Sequence, residues 1–339
     1  MRELLNTLYV QTPETRLSVD HDCVVARVGE EPPKRLPLRR LDGIVVIGRV
    51  HVSTPLIHRC GHDGISIAWL TSTGRLAGSL RGPTSGSVLL RRAQYAAHDD
   101  HNARLELARS IVASKVLNSM RFARHAARLS VDHSAALRAG ADSLDSIRLS
   151  LKEVEDLDDL RGREGAAARQ HFGHVRLTMN PEWTFADRSR RPPLSPFNAL
   201  LSFLYGLARS RCEHALDAAG LDPQVGFLHG LRPGRPALAL DMMEEHRPVI
   251  DRLAVTLANR RQLGSRHFET EAGGACYLSE EGRLKVLTSW SKLLEGDVRH
   301  STLKERLPYG LVFHVQAVLL ARAVRGDMAS YLPYVTEPD

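Results

Sequence analysis

Along residues 1–82 the apolar positions fall in short runs rich in valine and isoleucine, the pattern of buried and half-buried strands. The segment TRLSVDHDCVVARVG sets two such runs on either side of Asp20-His21-Asp22, which predicts a hairpin. DGIVVIGRVHV and DGISIAWLTS are further strands opened by Asp-Gly. Between them STPLIHRCG has a Ser/Thr start, a proline and a closing glycine, and predicts one short helix. RGPTSG, residues 81–86, consists of turn formers and places a linker at 83–87.

Beyond the linker the period changes. From Val88 to about Ala127 apolar residues recur every three or four positions with arginines between them, a helical pattern. A second helical stretch starts near Ser143 and runs through RLSLKEVEDLDDL into RGREGAAARQHFGHV. In LSPFNALLSFLYGLARSRCEHALDAAG, Ser195 is the expected N-cap, Pro196 lies in the first turn and Gly220 closes the helix. ALALDMMEEHRPVIDRLAVTLANRR is helical, with Pro248 expected to kink or divide it. LSEEGRLKVLTSWSKLL opens on Ser279 and two glutamates, a helix start. LVFHVQAVLLARAV, residues 311–324, is interrupted by His314, Gln316 and Arg322; it is too short to span a bilayer and reads as a buried helix. The expected fold class is α+β multidomain: a small β-rich N-terminal domain (1–82), a linker (83–87) and a large all-α domain (88–339).

Composition narrows the partner. The chain has 339 residues and is 43% hydrophobic, enough for a sizeable core, but only 5% aromatic, which argues against ring stacking as the main mode of ligand binding. Lys and Arg number 46 against 39 Asp and Glu, a net charge of 46 − 39 = +7, which tilts the partner towards a polyanion such as nucleic acid. Cys23, Cys60, Cys212 and Cys276 lie far apart, without CxxC or zinc-finger spacing. Reduced thiols and a start, MRELLNTLYV, without a long apolar run give the expectation of a cytoplasmic protein.

Two stretches carry candidate chemistry. In RGREGAAARQHFGH, Glu164 stands between Gly162 and Gly165 and is followed by three alanines. Glycines weaken a helix relative to alanine, and small residues around one acid let another backbone or a bulky ligand come close. In VGFLHGLRPGRPALALDMMEEHRP, His229 sits in a Gly/Pro/Arg loop, followed by Asp241, Glu244 and Glu245 in apolar sequence. Taken singly these have ordinary readings: a tight helix–helix contact with a solvated glutamate, a loop histidine, exposed helix acids. On a helix, Asp241 would share a face with Glu244 and with Glu245, and like charges on one face repel unless a cation, an arginine or water lies between them. Together, Glu, His and Glu or Asp form a mixed oxygen and nitrogen donor set that suits Mg²⁺ or Mn²⁺ better than structural zinc. Arg161, Arg163, Arg169, Arg232 and Arg235 border it, and guanidinium forks match phosphate geometry. A metal with few protein ligands and arginines around it is what phosphodiester chemistry requires.

RGREGAAARQHF, PFNALLSFLYGLA and VGFLHGLRPGRPALALDMMEEHRP, in this order, resemble the universal CRISPR-associated endonuclease/integrase family, CRISPR-associated protein one, the larger of the two core spacer-acquisition proteins. The resemblance covers the whole chain, and DMMEEHRP looks most like the subtype I-C branch. It implies that Glu164, His229 and Glu244 bind a divalent metal and are catalytic, with Asp241 as the supporting acid; Glu245 offers a neighbouring carboxylate. It implies DNA contacts by Arg161, Arg163, Arg232 and Arg235, and packing or DNA-positioning roles for Asn198 and Tyr205. The implied activity is metal-dependent cleavage of branched DNA and transesterification, the 3′-OH of a short duplex attacking the CRISPR leader–repeat junction. The implied partners are DNA, a second copy paired through the β-rich domain, and the small core protein (CRISPR-associated protein two) in a heterohexamer, with no membrane. Two other readings stand beside it: a non-catalytic basic DNA-binding scaffold, and a metal-dependent hydrolase of a small phosphorylated substrate.

Overall fold

The computed structural model describes residues 2–4, 7–41, 43–71, 76–80, 88–183 and 185–337. The chain forms two compact units, Met1–Ser85 and Gly86–Asp339. The linker expected at 83–87 lies outside the described residues.

The N-terminal unit contains β1 (Arg2–Leu4), β2 (Thr7–Val10), β3 (Arg16–Asp20), β4 (Cys23–Arg27), β5 (Lys34–Pro37), β6 (Gly43–Ile47), β7 (His51–Val52), α1 (Thr54–Asp63), β8 (Ser66–Leu70) and β9 (Leu76–Leu80). Five strands form one sheet in the order β1-β2-β6-β8-β9, and four form a second, β5-β4-β3-β7. The pairs β2–β6 and β6–β8 are parallel. That suits GIVVI, which is apolar at every position because strands inside a parallel sheet are covered on both faces. The expected hairpin forms between β3 and β4, with Asp20 paired to Cys23 and His21 at φ 52° in the turn. The short helix also forms as α1, capped by the Ser53 hydroxyl and closed by Gly64 in the left-handed region. Leu8, Val10, Leu17, Val24, Ile44, Val46, Leu56 and Ile67 make the core of this unit.

The second unit is mainly helical: α2 (Val88–Asp99), α3 (His101–Leu129), α4 (Ser134–Ser150), α5 (Leu157–Thr178), α6 (Pro196–Ala219), α7 (Ala237–Asn259), α8 (Glu280–Glu295) and α9 (Tyr309–Arg325). It departs from the expectation in three places. The run from Val88 is divided at Asp100, whose carboxylate accepts the Ala103 N–H at 2.8 Å and so starts a new helix. The helix expected from Ser143 already begins at Ser134. It is separated from α5 by Asp156, which caps α5 through the N–H groups of Asp158 and Asp159. The unit is not all-α: β10 (Phe268–Thr270) pairs with β11 (Cys276–Leu278), and β12 (Asp297–Arg299) with β13 (Arg306–Pro308). Each strand has three residues, too short for a period-two signal. Of the two outcomes expected at Pro248, division does not occur: α7 runs through it as one helix. The helix is held on two sides by α3 and α6, and this packing outweighs the missing proline N–H. The ends of α6 and the start of α8 fall where Ser195, Gly220 and Ser279 place them.

After α9 the chain doubles back and is fastened onto α7 and α3. The fully buried Glu245 of α7 accepts the Tyr331 hydroxyl at 2.5 Å, the Tyr334 N–H at 2.7 Å and Gln316 Nε2 at 3.1 Å. On α3, Asn118 Nδ2 donates to Glu245 O and Tyr334 O, and its Oδ1 accepts the Thr336 N–H. Ser114 donates to Tyr334 O at 2.9 Å. The Tyr334 ring stacks on His246, which stacks in turn on Phe313.

This packing can be probed at two points. Tyr331→Phe removes one of three donors from a buried carboxylate, at a cost of roughly 1–3 kcal/mol; the urea unfolding midpoint should fall accordingly. In the α4–α5 contact, a β-carbon on Gly140 would collide with Nε2 of the buried His174. Gly140→Ala should therefore destabilise by about 1–3 kcal/mol in the same measurement, although alanine is the better helix former.

Candidate active site

The loop that carries His229 is built around one buried carboxylate. Asp241, early in α7, is 0% exposed. Its Oδ2 accepts the N–H groups of Phe227 at 2.5 Å and Leu228 at 3.0 Å. Its Oδ1 accepts the N–H of His229 at 3.0 Å and contacts the His229 ring Nδ1 at 2.6 Å. A carboxylate can only accept, so Nδ1 carries the proton and the lone pair of the imidazole is left on Nε2. The loop carbonyls are held as well. Gly226 O contacts the His98 ring, Phe227 O accepts from Arg104 Nε, and Leu228 O accepts from Arg161 Nε and Nη2. Gln94 of α2 donates to Asp222 O and Val225 O. Gly226 is required for this closeness: a β-carbon there would meet Asp241 Oδ2 at 2.6 Å and the first turn of α7 at 2.7 Å.

Three helices bring the other charges together. Glu164 on α5 is 24% exposed, Lys115 on α3 is 8% exposed and Glu244 on α7 is 4% exposed. The Lys115 ammonium contacts Glu164 Oε1 and lies 2.6 Å from Glu244 Oε2. The second of these contacts is not aligned as a hydrogen bond, so Oε2 remains a buried acceptor without a donor. Arg247 Nε is 2.8 Å from the other oxygen, Oε1. Burial raises the pKa of Glu244, but the charges of Arg247 and Lys115 outweigh it and hold the carboxyl well below its usual range. Glu245 faces the segment after α9 instead. Burial pushes its carboxyl up to about 7, against hydrogen bonds from Tyr331, Tyr334 and Gln316 that lower it.

Arg247 is locked in turn. Its guanidinium lies 4.6 Å from the centre of the Tyr205 ring, and the Tyr205 hydroxyl donates to Asp251 Oδ1 at 2.6 Å. Asp251 Oδ2 meets His171 Nε2 at 2.9 Å. Tyr205 is thus buried in the support of the acids, and Asn198 is a packing residue that bonds Arg188, Ser189 N, Asp187 O and Ser195.

The arginines divide. Arg161 bonds Leu228 O and Asp158, and Arg163 bonds Asp159 and Ser150 O. Arg232 and Arg169 are exposed and Arg235 is half-buried. The pKa of Arg235 is lowered by burial and then by Arg232, with Arg161 and Arg191 adding to the effect and Asp241 opposing it. Arg161, Arg191 and Arg232 are thus near enough to Arg235 to act on it electrostatically. A β-carbon on Gly162 would meet nothing within 4 Å, and one on Gly165 only Arg169 Nη1 at 3.8 Å. The glycines beside Glu164 therefore leave open space, not a tight helix–helix contact.

Two carboxylates and an imidazole with a free Nε2 fit a hard divalent cation in donor type, and Glu244 Oε2, buried without an aligned hydrogen-bond donor, fits it in need. As they stand, no group of three or more His, Cys, Asp or Glu side chains among the described residues is spaced to hold a metal ion. Lys115 lies between the two acids. Lys115, Arg247 and Arg104 were not singled out from the sequence. The trace of Lys115 there is a lone lysine within the apolar run SIVASKVLN, and that of Arg247 its place three residues after Glu244.

Comparison with known proteins agrees with the fold. The family model described as CRISPR associated protein Cas1 matches residues 8–292. A CRISPR-associated endonuclease Cas1 of Moorella thermoacetica is 42% identical over 99% of both chains. One of Rhodospirillum rubrum is 44% identical over 98% of this chain and 99% of its own. Among solved structures, a casposase bound to integration product superposes with a TM-score of 0.83 at 22% identity, covering 96% of this chain and 93% of its own. A Cas1 protein from Thermotoga maritima gives 0.81 at 23% identity, covering 94% and 97%. The ordered motifs at Glu164, His229 and Asp241 to Glu245 thus lie in a chain that belongs to the Cas1 family of CRISPR-associated proteins.

Proposed function

We propose that this chain is a metal-dependent DNA endonuclease and integrase of CRISPR adaptation, joining short DNA duplexes to the leader–repeat junction by transesterification. The observation that carries the proposal is the convergence of Glu164 and Glu244 on one point, one turn of α7 away from Asp241, which accepts the Nδ1 proton of His229 in a hydrogen bond and leaves its Nε2 free. Both relatives above are called endonucleases, and the casposase structure holds an integration product. Glu164, His229 and Glu244 would hold Mg²⁺ or Mn²⁺, which when bound supplies a Lewis acid for the phosphodiester. Asp241 keeps the His229 ring in one tautomer and one orientation. Arg232 and Arg235 hold the strand by its phosphates. Arg161 orients the histidine loop, and Arg163 ties α5 to the end of α4.

The N-terminal unit, read from the sequence as residues 1–82, would pair two copies through its sheets. A small Cas2 partner would join such pairs into a heterohexamer, since a solved Cas6-RT-Cas1–Cas2 complex contains a chain of this fold at a TM-score of 0.81 and 22% identity, over 98% of this chain and 36% of that one. The four cysteines are free thiols, and no helix among the described residues is long and apolar enough to cross a membrane. A cytoplasmic place of action is part of this proposal.

The deciding experiment is integration of a labelled duplex into a supercoiled plasmid carrying leader and repeat, with the small partner and either Mn²⁺ or EDTA. Label should enter only with metal and only with Glu164 intact; binding without transfer under any metal would move the scaffold reading ahead. His229→Ala should abolish transfer while leaving DNA binding largely intact. Asp241→Asn should lower Mn²⁺ affinity or activity by about 10–100-fold, the usual effect of disturbing the partner of a metal-binding histidine. The double variant Arg232→Ala/Arg235→Ala should bind DNA more weakly across sequences. Its slope of log affinity against log salt should flatten by about 0.9 for each phosphate that the missing guanidinium groups no longer neutralise.

A further inference from the structure

We infer that Lys115 is a resident counter-cation of the candidate metal centre: its ammonium ties Glu164 to Glu244 in the metal-free protein and must leave when a divalent cation enters. The inference rests on the metal reading above. It starts from a coincidence of position. Glu164 comes from α5, Glu244 from α7 and Lys115 from α3, and one ammonium nitrogen touches both carboxylates. A cation bonded to both acids would have to occupy the space that this nitrogen fills. The ammonium and a divalent ion cannot share it, because both are positive and the site is largely dry.

The two cations on Glu244 differ in their freedom to move. Arg247 is pinned over the Tyr205 ring, whose hydroxyl is itself fixed on Asp251. Lys115 has a flexible four-carbon stem and a compact charge. Its contacts in the site are the two acids, and the Glu164 end of the pair opens towards solvent. Lys115 therefore has a route out and Arg247 does not. The same ammonium offsets the repulsion between two carboxylates that converge on one point. It is a positioning residue: it keeps the site assembled and yields it on loading.

Mn²⁺ binding to the full chain, followed by calorimetry or by the electron paramagnetic resonance of free Mn²⁺, tests this without reference to catalysis. Lys115→Met removes the competitor at similar volume and should bind Mn²⁺ roughly tenfold more tightly or better, the equilibrium effect of one charge-assisted hydrogen bond. Its metal-free thermal midpoint should fall, and Mn²⁺ should raise that midpoint further than in the wild type. Lys115→Gln is the fallback if the methionine variant does not fold, and Lys115→Arg should bind Mn²⁺ no better than wild type. In the wild-type protein, Mn²⁺ should expose Lys115 to an amine-acylating reagent, read by mass spectrometry of its peptide. If wild type binds Mn²⁺ in a Glu164-dependent way but the neutral variants bind it equally or more weakly, or Lys115 stays protected in the loaded protein, the exchange is wrong and the metal reading stands. If neither wild type nor the neutral variants bind Mn²⁺, the metal reading falls and the exchange with it.

Discussion

A carboxylate with no access to water has to be satisfied by protein donors, and Asp241 draws four of them from three consecutive residues. That demand shapes the site. It pulls the loop at 227–229 against the first turns of α7, forces glycine at 226 and leaves the imidazole proton on one nitrogen. The buried ring of donors also holds His229 still. The loop has no regular secondary structure, yet its carbonyls are taken by side chains from α2, α3 and α5, so an irregular segment is as tightly held as a helix.

Helix α7 distributes charge by direction. Asp241 faces the histidine loop, Glu244 faces Lys115 and Arg247, Glu245 faces the segment after α9, and Asp251 faces Tyr205 and His171. Successive helical residues are turned by about 100°, which is why the adjacent Glu244 and Glu245 enter different environments. One has cations beside it and is held ionised; the other has only neutral donors, and burial drives its carboxyl up to about 7. Four acids on one buried helix would repel one another if they met in one place. Each has its own partner set instead.

What could be read from the sequence follows the range of the interactions concerned. Helix ends governed by a local cap, such as Ser195, Gly220 and Ser279, were legible because the signal and its effect lie within one turn. The break at Asp100 has the same kind of cap, but the helical period continues through it and masked it. The three-residue strands of the second unit carry no period to detect. Glu164, His229 and Asp241 stood out through unusual local composition. The choice between Glu244 and Glu245 did not, because it depends on what approaches each face of α7 from α3 and from residues 331–334, far away in sequence. Lys115 was hidden for the same reason: the sequence shows a lysine in an apolar helix, but not the two carboxylates that meet it. At Pro248 the local rule left a kink or a division open, and α7, packed on two sides, is not divided.

The clasp made by residues 331–336 has a consequence for the order in which the molecule is completed. During synthesis α3 and α7 leave the ribosome long before this segment does. Until it arrives, Glu245 lacks two of its three donors and Asn118 lacks Thr336 and the Tyr334 carbonyl. The helix that carries Asp241 and Glu244 is therefore fully seated only after translation has passed residue 336.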